Sequence, residues 1–361
     1  MRFYTQEHRF YAGVDLHTRT LHLCILDHTG AVVYDRNLPC RPDAFLQAVA
    51  PFRDGLVVGA ECMFAWYWLA DLCAQQGIPF VLGHALYMKA IHGGKAKNDK
   101  IDAGKIARLL RGGTFPLAYA YPKGMRETRD LLRRRTYLVR KRAELLTHLQ
   151  ILNSQYNLAP FSKKLSYAAN RAEMDIAERF TDPSVRKSAA VDLALVDRLD
   201  ELIAEVESYL TRTAQVDDVQ TYHRLRTIPG VGKVLALVLL YEIHDIHRFA
   251  GEGPFLSYAR LVRPGHESAG KVVGSGGQKI GNAHLRWAFG EAACLFLRAS
   301  ERAKKWKEKQ LKKRAENRVL AVLAARLARA VYHLWRKEEA FDETRFWQGQ
   351  GVSGPTQGKG R

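Results

Sequence analysis

No two of the five cysteines, Cys24, Cys40, Cys62, Cys73 and Cys294, form a Cys-x-x-Cys pair. That absence argues against the usual zinc frameworks and a disulfide scaffold, and fits a reducing compartment. No apolar run is long enough to span a bilayer, and the opening stretch MRFYTQEHRF is too polar and charged for a secretory signal. A cytoplasmic protein without a membrane partner is expected. Acid is scarce as well: 37 Asp and Glu stand against 56 Lys and Arg, a formal net charge of +19. Such a chain avoids basic partners and is drawn to polyanions, nucleic acid first and a membrane surface second. Hydrophobic residues still make up 47% of the 361. That suffices for globular cores, and the length calls for two or three domains.

The first third alternates between strand and helix patterns. YAGVD reads as a strand ending in Asp15, LHLCILD and AVVYDRNL as two more strands around the turn DHTG, and GLVVGAE as a buried strand ending in Glu61. RPDAFLQAVAPF and FAWYWLADLCAQQG read as helices, the second stopped by Gly77, with the strand IPFVLG after it. This order predicts an α/β domain over residues 8–118. Residues 119–218 change character. Residues 123–142 carry nine basic and two acidic residues, and leucines recur with a helical period. A second helical pattern, VDLALVDRLDELIAEVESYL, runs close to heptads, so the region reads as a helical hairpin or a coiled coil.

From 219 to 340 a mainly helical domain is expected. It contains IPGVG before an apolar helix, a Gly/Ser-rich loop, and the basic helix ERAKKWKEKQLKKRAENRVLAVLAARLARAVYHLW. In IPGVG, Gly230 and Gly232 with Lys233 resemble a helix-hairpin-helix turn, which offers backbone N–H groups to a phosphate. A tight helix–helix turn explains the same residues. The tail, 341–361, ending GQGVSGPTQGKGR, has the composition of disorder.

Four carboxylates then stand out: Asp15 and Glu61 at strand ends, and Asp99 and Asp102 in KAKNDKIDAGKIARLL. Helix capping explains the last two taken alone. In an α/β sheet, however, ligands gather at the carboxyl ends of strands, and acids at i and i+3 share a helix face. Four acids converging there repel one another unless a cation intervenes. Mg2+ suits such a set because it takes few carboxylates and leaves room for phosphate oxygens. Two ions about 4 Å apart serve in-line displacement at phosphorus. His17 and His22 lie near Asp15 but read as ordinary strand histidines.

VDLHTRTLHLCILD, VGAEC and KNDKIDAGKIARLL, in that order, resemble the DEDD motif of insertion-sequence transposases whose nuclease domain has a RuvC-like, ribonuclease-H fold. TIPGVGKVLALVLLYEI through SAGKVVGSGGQKIGNAHLRWAFGEAA resembles that family's second domain. The likeness runs from about residue 11 to 335. It implies Asp15, Glu61, Asp99 and Asp102 as ligands of Mg2+, with donor and target DNA as substrates. It also implies a structured bridge RNA encoded by the element, and because recombination of two duplexes needs several active sites, a homo-oligomer is expected. The family's catalytic serine lies in a His-x-Ser-x-Gly-Lys context. Here that is GHESAGK, which makes Ser268 the counterpart, with His266, Gly270 and Lys271 around it and Ser275 as the nearest competitor. Glu267 beside Ser268 is a departure from the family, with metal binding and a slight repulsion of phosphate as its two readings. Phosphate contacts are expected from Arg133, Arg134, Arg135, Arg140, Lys141 and Arg142, and from Lys271, Lys304, Lys305, Lys312 and Lys313. The expected activity is cutting and rejoining of DNA. A water-using, junction-resolving nuclease and a non-catalytic nucleic-acid-binding protein are the alternatives.

Overall fold

Alternating apolar residues in the first 120 positions give strands with two differently covered faces. In the computed structural model, residues 2–91, 98–262, 265–268, 271–275 and 280–348 are described. The chain divides into two units, residues 1–123 and 124–361.

The first unit runs β1 (Phe3–Tyr4), β2 (Phe10–Leu16), β3 (Thr20–Asp27), β4 (Val32–Pro39), α1 (Pro42–Val49), β5 (Leu56–Glu61), α2 (Trp66–Gln75), β6 (Phe80–Gly83), α3 (Ala85–Ile91), α4 (Asp99–Arg111) and β7 (Phe115–Pro116). Five strands form one mixed sheet in the order β4-β3-β2-β5-β6. The β2–β3 and β3–β4 pairs are antiparallel, while β2–β5 and β5–β6 are parallel. The DHTG turn is held by Asp27, whose Oδ1 accepts from the backbone N–H groups of Thr29, Gly30 and Ala31. Strand alternation sends Ala12, Val14, Leu21, Leu23, Val58 and Ala60 to one face, packed with Phe45 of α1 and Leu69 of α2. The opposite face carries Tyr11 and Val57 against Ile106 and Leu110 of α4. Cys24 and Leu26 lie there against Ala103 and Ala107. All five cysteines are free thiols, and burial pushes Cys73 up to about 12.

The second unit comprises α5 (Lys123–Gln155), α6 (Ala168–Glu173), α7 (Pro183–Asp217), α8 (Val219–Arg226), α9 (Lys233–Ile243), α10 (Glu252–Tyr258), the hairpin β8 (Gly265–Ser268) and β9 (Lys271–Ser275), α11 (Ala283–Ala299), α12 (Glu301–Leu311), α13 (Glu316–Lys337) and α14 (Glu343–Gln348). Helices α5 and α7 lie antiparallel. Their charged rungs pair Arg135 with Glu207, Arg142 with Asp200 and His148 with Asp192, so the sum of partner numbers stays near constant. Arg171, almost fully buried, joins Asp197 and Asp200 at 2.6 Å each and donates to the Leu165 carbonyl. Helix α9, buried on every side from Leu235 to Ile243, sits in the core with α8, α11 and α13.

Two expectations change here. The long basic helix is two helices, α12 and α13, because Trp306 of one and Leu323, Leu327 and Val331 of the other fill the same core, so the chain must turn between them. Ser300 caps the first, accepting from the Ala303 N–H. The stretch from 341, expected to lack structure, begins with α14. Phe341, Phe346 and Trp347 pack on the core, and Arg326 lies 5.0 Å from the ring centres of both Phe346 and Trp347. The glycine-rich remainder, 349–361, lies outside the described residues.

One acid sits deep in this core. Glu242 of α9 is 1% exposed and accepts from Arg129 Nε at 2.8 Å, Arg133 Nε at 2.7 Å and Asn282 Nδ2 at 2.7 Å. Burial alone would raise its pKa. The hydrogen bonds and charge of Arg133 and Arg129, with Asn282, overcome that and hold it at about 2. Its ordinary value is 4.5. A depressed carboxylate stabilises the fold fully above the unfolded value, and that stabilisation is lost as pH falls toward the folded one. Glu242→Gln is expected to cost about 3 kcal/mol at neutral pH in denaturant unfolding. The gap to the wild-type protein should narrow below pH 4.5 and close near pH 2. A gap that stays constant over that range contradicts the assignment.

Candidate active site

The acids are positioned by strand register and by one helix. The last paired rung of parallel strands β2 and β5 is Val14 with Ala60, so Asp15 and Glu61 follow as the next residues of adjacent strands. Adjacent strands run about 4.8 Å apart. Alternation puts both residues on the face that α4 covers, in phase with Gly13 and Gly59. A Cβ on Gly13 would stand 2.2 Å from the Ala103 carbonyl oxygen and 2.4 Å from the Ala107 nitrogen. One on Gly59 would stand 2.5 Å from Leu110 Cδ1. The helix thus lies directly on the sheet, and its first turn reaches the strand ends.

Asn98, not either aspartate, is the N-cap of α4, its Oδ1 accepting from the Ile101 N–H at 2.8 Å. Asp99 and Asp102 occupy the first turn, where the helix dipole favours negative charge. Asp15 Oδ2 lies 3.3 Å from His17 Nε2, and Asp99 Oδ1 lies 3.2 Å from the same nitrogen. One ligand atom from each of Asp15, His17 and Asp99 lies within 4.8 Å of the others. Burial pushes the Asp15 carboxyl above its usual range. The charges of Asp99 and Asp102 add to the rise, while His17 opposes it. Asp102 also meets Lys105 Nζ at 3.1 Å. The structure therefore brings Asp15 and Asp99 together around His17. Asp102 stands close enough to act on Asp15 through its charge, and Glu61 on the neighbouring strand end.

A second network braces the same turn. Asp35 of β4 accepts from Lys100 Nζ at 3.0 Å and pairs with His22 Nε2 at 2.7 Å. Burial would raise Asp35, but these hydrogen bonds and charges outweigh it and hold the carboxyl low. Lys100 lies between Asp99 and Asp102, so this contact ties the acid-bearing turn to β3 and β4. The sequence pattern alone does not mark His17, His22, Asp35 or Lys100 as site residues. For His17 a signal existed: it follows Asp15 by two residues, which in extended chain is the same face. The chemistry of the donor set fits a divalent cation. Carboxylate oxygens of Asp15 and Asp99 meet beside His17, and hard oxygen donors of this kind suit such an ion.

In the second unit, Ser268 ends β8 on the rung shared with Lys271, while Ser275 ends β9 opposite Gly265. The side chains of residues 263–279, Lys271 included, lie outside the described residues. Gly230 of IPGVG has φ +84°, and a Cβ there would meet the Leu295 carbonyl carbon at 2.6 Å and the Phe296 nitrogen at 2.7 Å. Its glycine is required by the packing of the turn on α11. Gly232, by contrast, borders open space and precedes α9 with no side-chain cap, next to exposed Lys233.

The basic run of α5 is not one uniform face. Arg133, Arg135 and Arg142, expected at phosphates, bind Glu242, Glu207 and Asp200 of their own chain. Arg134 and Arg140 are exposed, the first 5.0 Å above the Tyr137 ring, and exposed Lys141 pairs with Glu144 one turn away. On α12 and just beyond it, Lys304, Lys305, Lys312 and Lys313 are all exposed, Lys304 beside Glu301. Among the described residues, no helix is long and apolar enough to cross a membrane.

This pairing of a four-acid sheet domain with a helical second unit is the arrangement of an enzyme family. The model of the Transposase IS116/IS110/IS902 family matches residues 222–331, and a DEDD transposase model of IS110 type matches residues 12–157, the segment that holds all four acids. The chain belongs to this family of insertion-sequence transposases. It is 25% identical over 335 residues to the transposase for insertion sequence element IS1111A of Coxiella burnetii, covering 91% of this chain and 90% of that one. It is 22% identical to the transposase for insertion sequence element IS1328 of Yersinia enterocolitica, over 89% of this chain and 95% of the relative. A probable family 20 transposase of Pseudomonas aeruginosa is 23% identical, over 91% and 97% of the two chains.

The ion pairs separate structural from exposed cations, and binding is expected to follow that division. Arg134→Ala with Arg140→Ala should leave the melting temperature unchanged and reduce the slope of log affinity for DNA against log salt by about two. Arg133→Ala should lower the melting temperature and leave that slope nearly intact, since it strips a partner from buried Glu242. Melting curves and a salt titration of duplex binding check both.

Proposed function

We propose that this transposase cuts and rejoins donor and target DNA through two half-sites, the carboxylates of the first unit and Ser268 of the second. The observation that carries the reading is the meeting of Asp15 and Asp99 at the ends of a five-stranded sheet, with Glu61 in register beside them. The strand order, three antiparallel strands followed by two parallel ones, supports a ribonuclease-H-like, RuvC-like fold. In this reading Asp15, Glu61, Asp99 and Asp102 hold Mg2+, two ions in the full site. When bound, Mg2+ supplies polarisation of the scissile phosphate and stabilises charge at the departing oxygen.

Ser268 is the nucleophile. Its hydroxyl oxygen bonds to phosphorus, the bond to the departing sugar oxygen breaks, and the serine proton ends on that oxygen by way of a base or water. The phosphoserine link keeps the diester energy, so a sugar hydroxyl of the second duplex reverses the step and frees the serine. Arg134, Arg140, Lys271 and the exposed lysines of α12 hold phosphates, as do Gly232 and Lys233 at the start of α9. Sequence choice falls to a structured bridge RNA of the element, which pairs with both duplexes.

The acids and the serine belong to different units, and we assign their meeting to a homo-oligomer held by the helical hairpin, α5 with α7, acting as a coiled-coil arm. Asp102→Asn is expected to abolish strand exchange while DNA binding persists, and recombination at the wild-type rate contradicts the metal role. Ser268→Ala is expected to form no covalent protein–DNA adduct. Mixing the two inactive variants should restore some adduct if sites are shared between subunits. An adduct that persists in Ser268→Ala and vanishes in Ser275→Ala moves the nucleophile to Ser275. Cleavage by Ser268→Ala without any adduct favours hydrolysis by water.

A further inference from the structure

We propose that His17 is a nitrogen ligand of the metal centre and shifts its selectivity from Mg2+ toward first-row transition ions, for which Mn2+ serves as the probe. The proposal rests on the reading of Asp15 and Asp99 as metal ligands and adds a donor outside the four-acid set. His17 follows the last residue of β2, and its backbone N–H donates to the Thr20 carbonyl at 3.0 Å, which fixes the chain where the strand ends. Its Nε2 stands 3.3 Å from Asp15 Oδ2 and 3.2 Å from Asp99 Oδ1.

Those separations fit coordination. In six-coordinate geometry with metal–ligand distances of about 2.1–2.2 Å, neighbouring donor atoms lie about 3.0–3.1 Å apart. The imidazole nitrogen is therefore within a few tenths of an ångström of a ligand position next to each carboxylate oxygen. The three donor atoms also lie within 4.8 Å of one another, about the span an ion needs to touch all three. Without an ion the same nitrogen hydrogen-bonds Asp15 and faces Asp99, so one ring position serves both states with little movement. The ring is half exposed, which leaves access for an ion and its waters.

Selectivity follows from donor type. Mg2+ takes oxygen ligands and is reluctant to exchange water for nitrogen. First-row transition ions accept imidazole readily. A site with only the four acids has a weaker bias of this kind. Replacing one water by His17 Nε2 shifts the balance toward the transition ion and leaves the carboxylates in place to hold charge.

The test reads coordination rather than turnover. Mn2+ is added to the full-length protein, binding is measured by calorimetry, and pulsed electron paramagnetic resonance looks for 14N hyperfine coupling at the bound ion. Wild-type protein should bind Mn2+ with directly coordinated nitrogen and favour it over Mg2+ in competition. His17→Ala and His17→Asn should lose the nitrogen coupling, and the Mn2+-over-Mg2+ ratio should fall about tenfold or more. Asp15→Asn with Asp99→Asn should lose the Mn2+ site itself. Mn2+ binding that needs both aspartates but shows no nitrogen coupling, or keeps it in both His17 variants, overturns the His17 assignment alone. Mn2+ binding indifferent to Asp15 and Asp99 overturns the carboxylate reading on which it stands.

Discussion

Helix α4 rests on two residues that have no side chain. Gly13 and Gly59 let the helix backbone approach the sheet to a distance at which any Cβ would overlap Ala103, Ala107 or Leu110. Everything at the candidate site depends on that approach. It sets how far the first turn of α4 extends toward the ends of β2 and β5, and so whether Asp99 reaches the nitrogen that Asp15 also meets. Asn98 caps the helix, which leaves the two aspartates of the first turn uncommitted to the helix backbone. The Lys100–Asp35–His22 network then fastens the same turn laterally to β3 and β4. A displaced helix would keep its capping and its hydrophobic face while losing the convergence of the acids.

Much of this was legible in the residues. The strand runs ending in Asp15 and Glu61 carry their β-branched and apolar patterns openly, and the strand–helix alternation announces an α/β sheet. The four acids stand at strand ends and in a helix start, where charge is readable without coordinates. The sequence does not set His17 apart, because a histidine near a strand is usually ordinary. Only the position of α4 shows that Asp99 comes to its ring. Asp35 was invisible for the same reason, since its partners arrive from a neighbouring strand and from a helix 65 residues on. Gly13 gave no sign of its importance, because what a glycine lets in is a property of the packed neighbour.

The basic run of α5 shows the opposite limit. Composition counts charge but does not say where the counter-charge lies. Glu242 is 109 residues from Arg133, and Glu207 is 72 from Arg135. These pairings turn part of a basic stretch into interior architecture, and Arg134 and Arg140 stay exposed on the same helix. Likewise, the aromatic residues of α14 outweighed its polar neighbours, since Phe346 and Trp347 bury against the core and take Arg326 between their rings and that of Trp306. Tails are assigned to disorder by average polarity, and a few large rings suffice to reverse it.

The two charge networks differ in a way that bears on function. Around Glu242 the donors outnumber the acid: two guanidiniums and an amide meet one carboxylate, and its pKa is held far below normal. That network is satisfied and closed, and adding a cation there would gain nothing. Around Asp15 the balance is reversed. Among the described residues, three aspartates face one imidazole and two flanking lysines, one of them already engaged by Asp35, and the Asp15 carboxyl is pushed up instead of down. A carboxylate raised by burial and by like charge is stabilised by whatever positive charge reaches it, proton or metal ion. Within one strongly basic chain, the buried glutamate is supplied with cations from its own sequence, while Asp15 and Asp99, where the central strands end, share a half-exposed imidazole. The like charge gathers where strand ends collect ligands, and it is of the sign that a divalent cation would relieve.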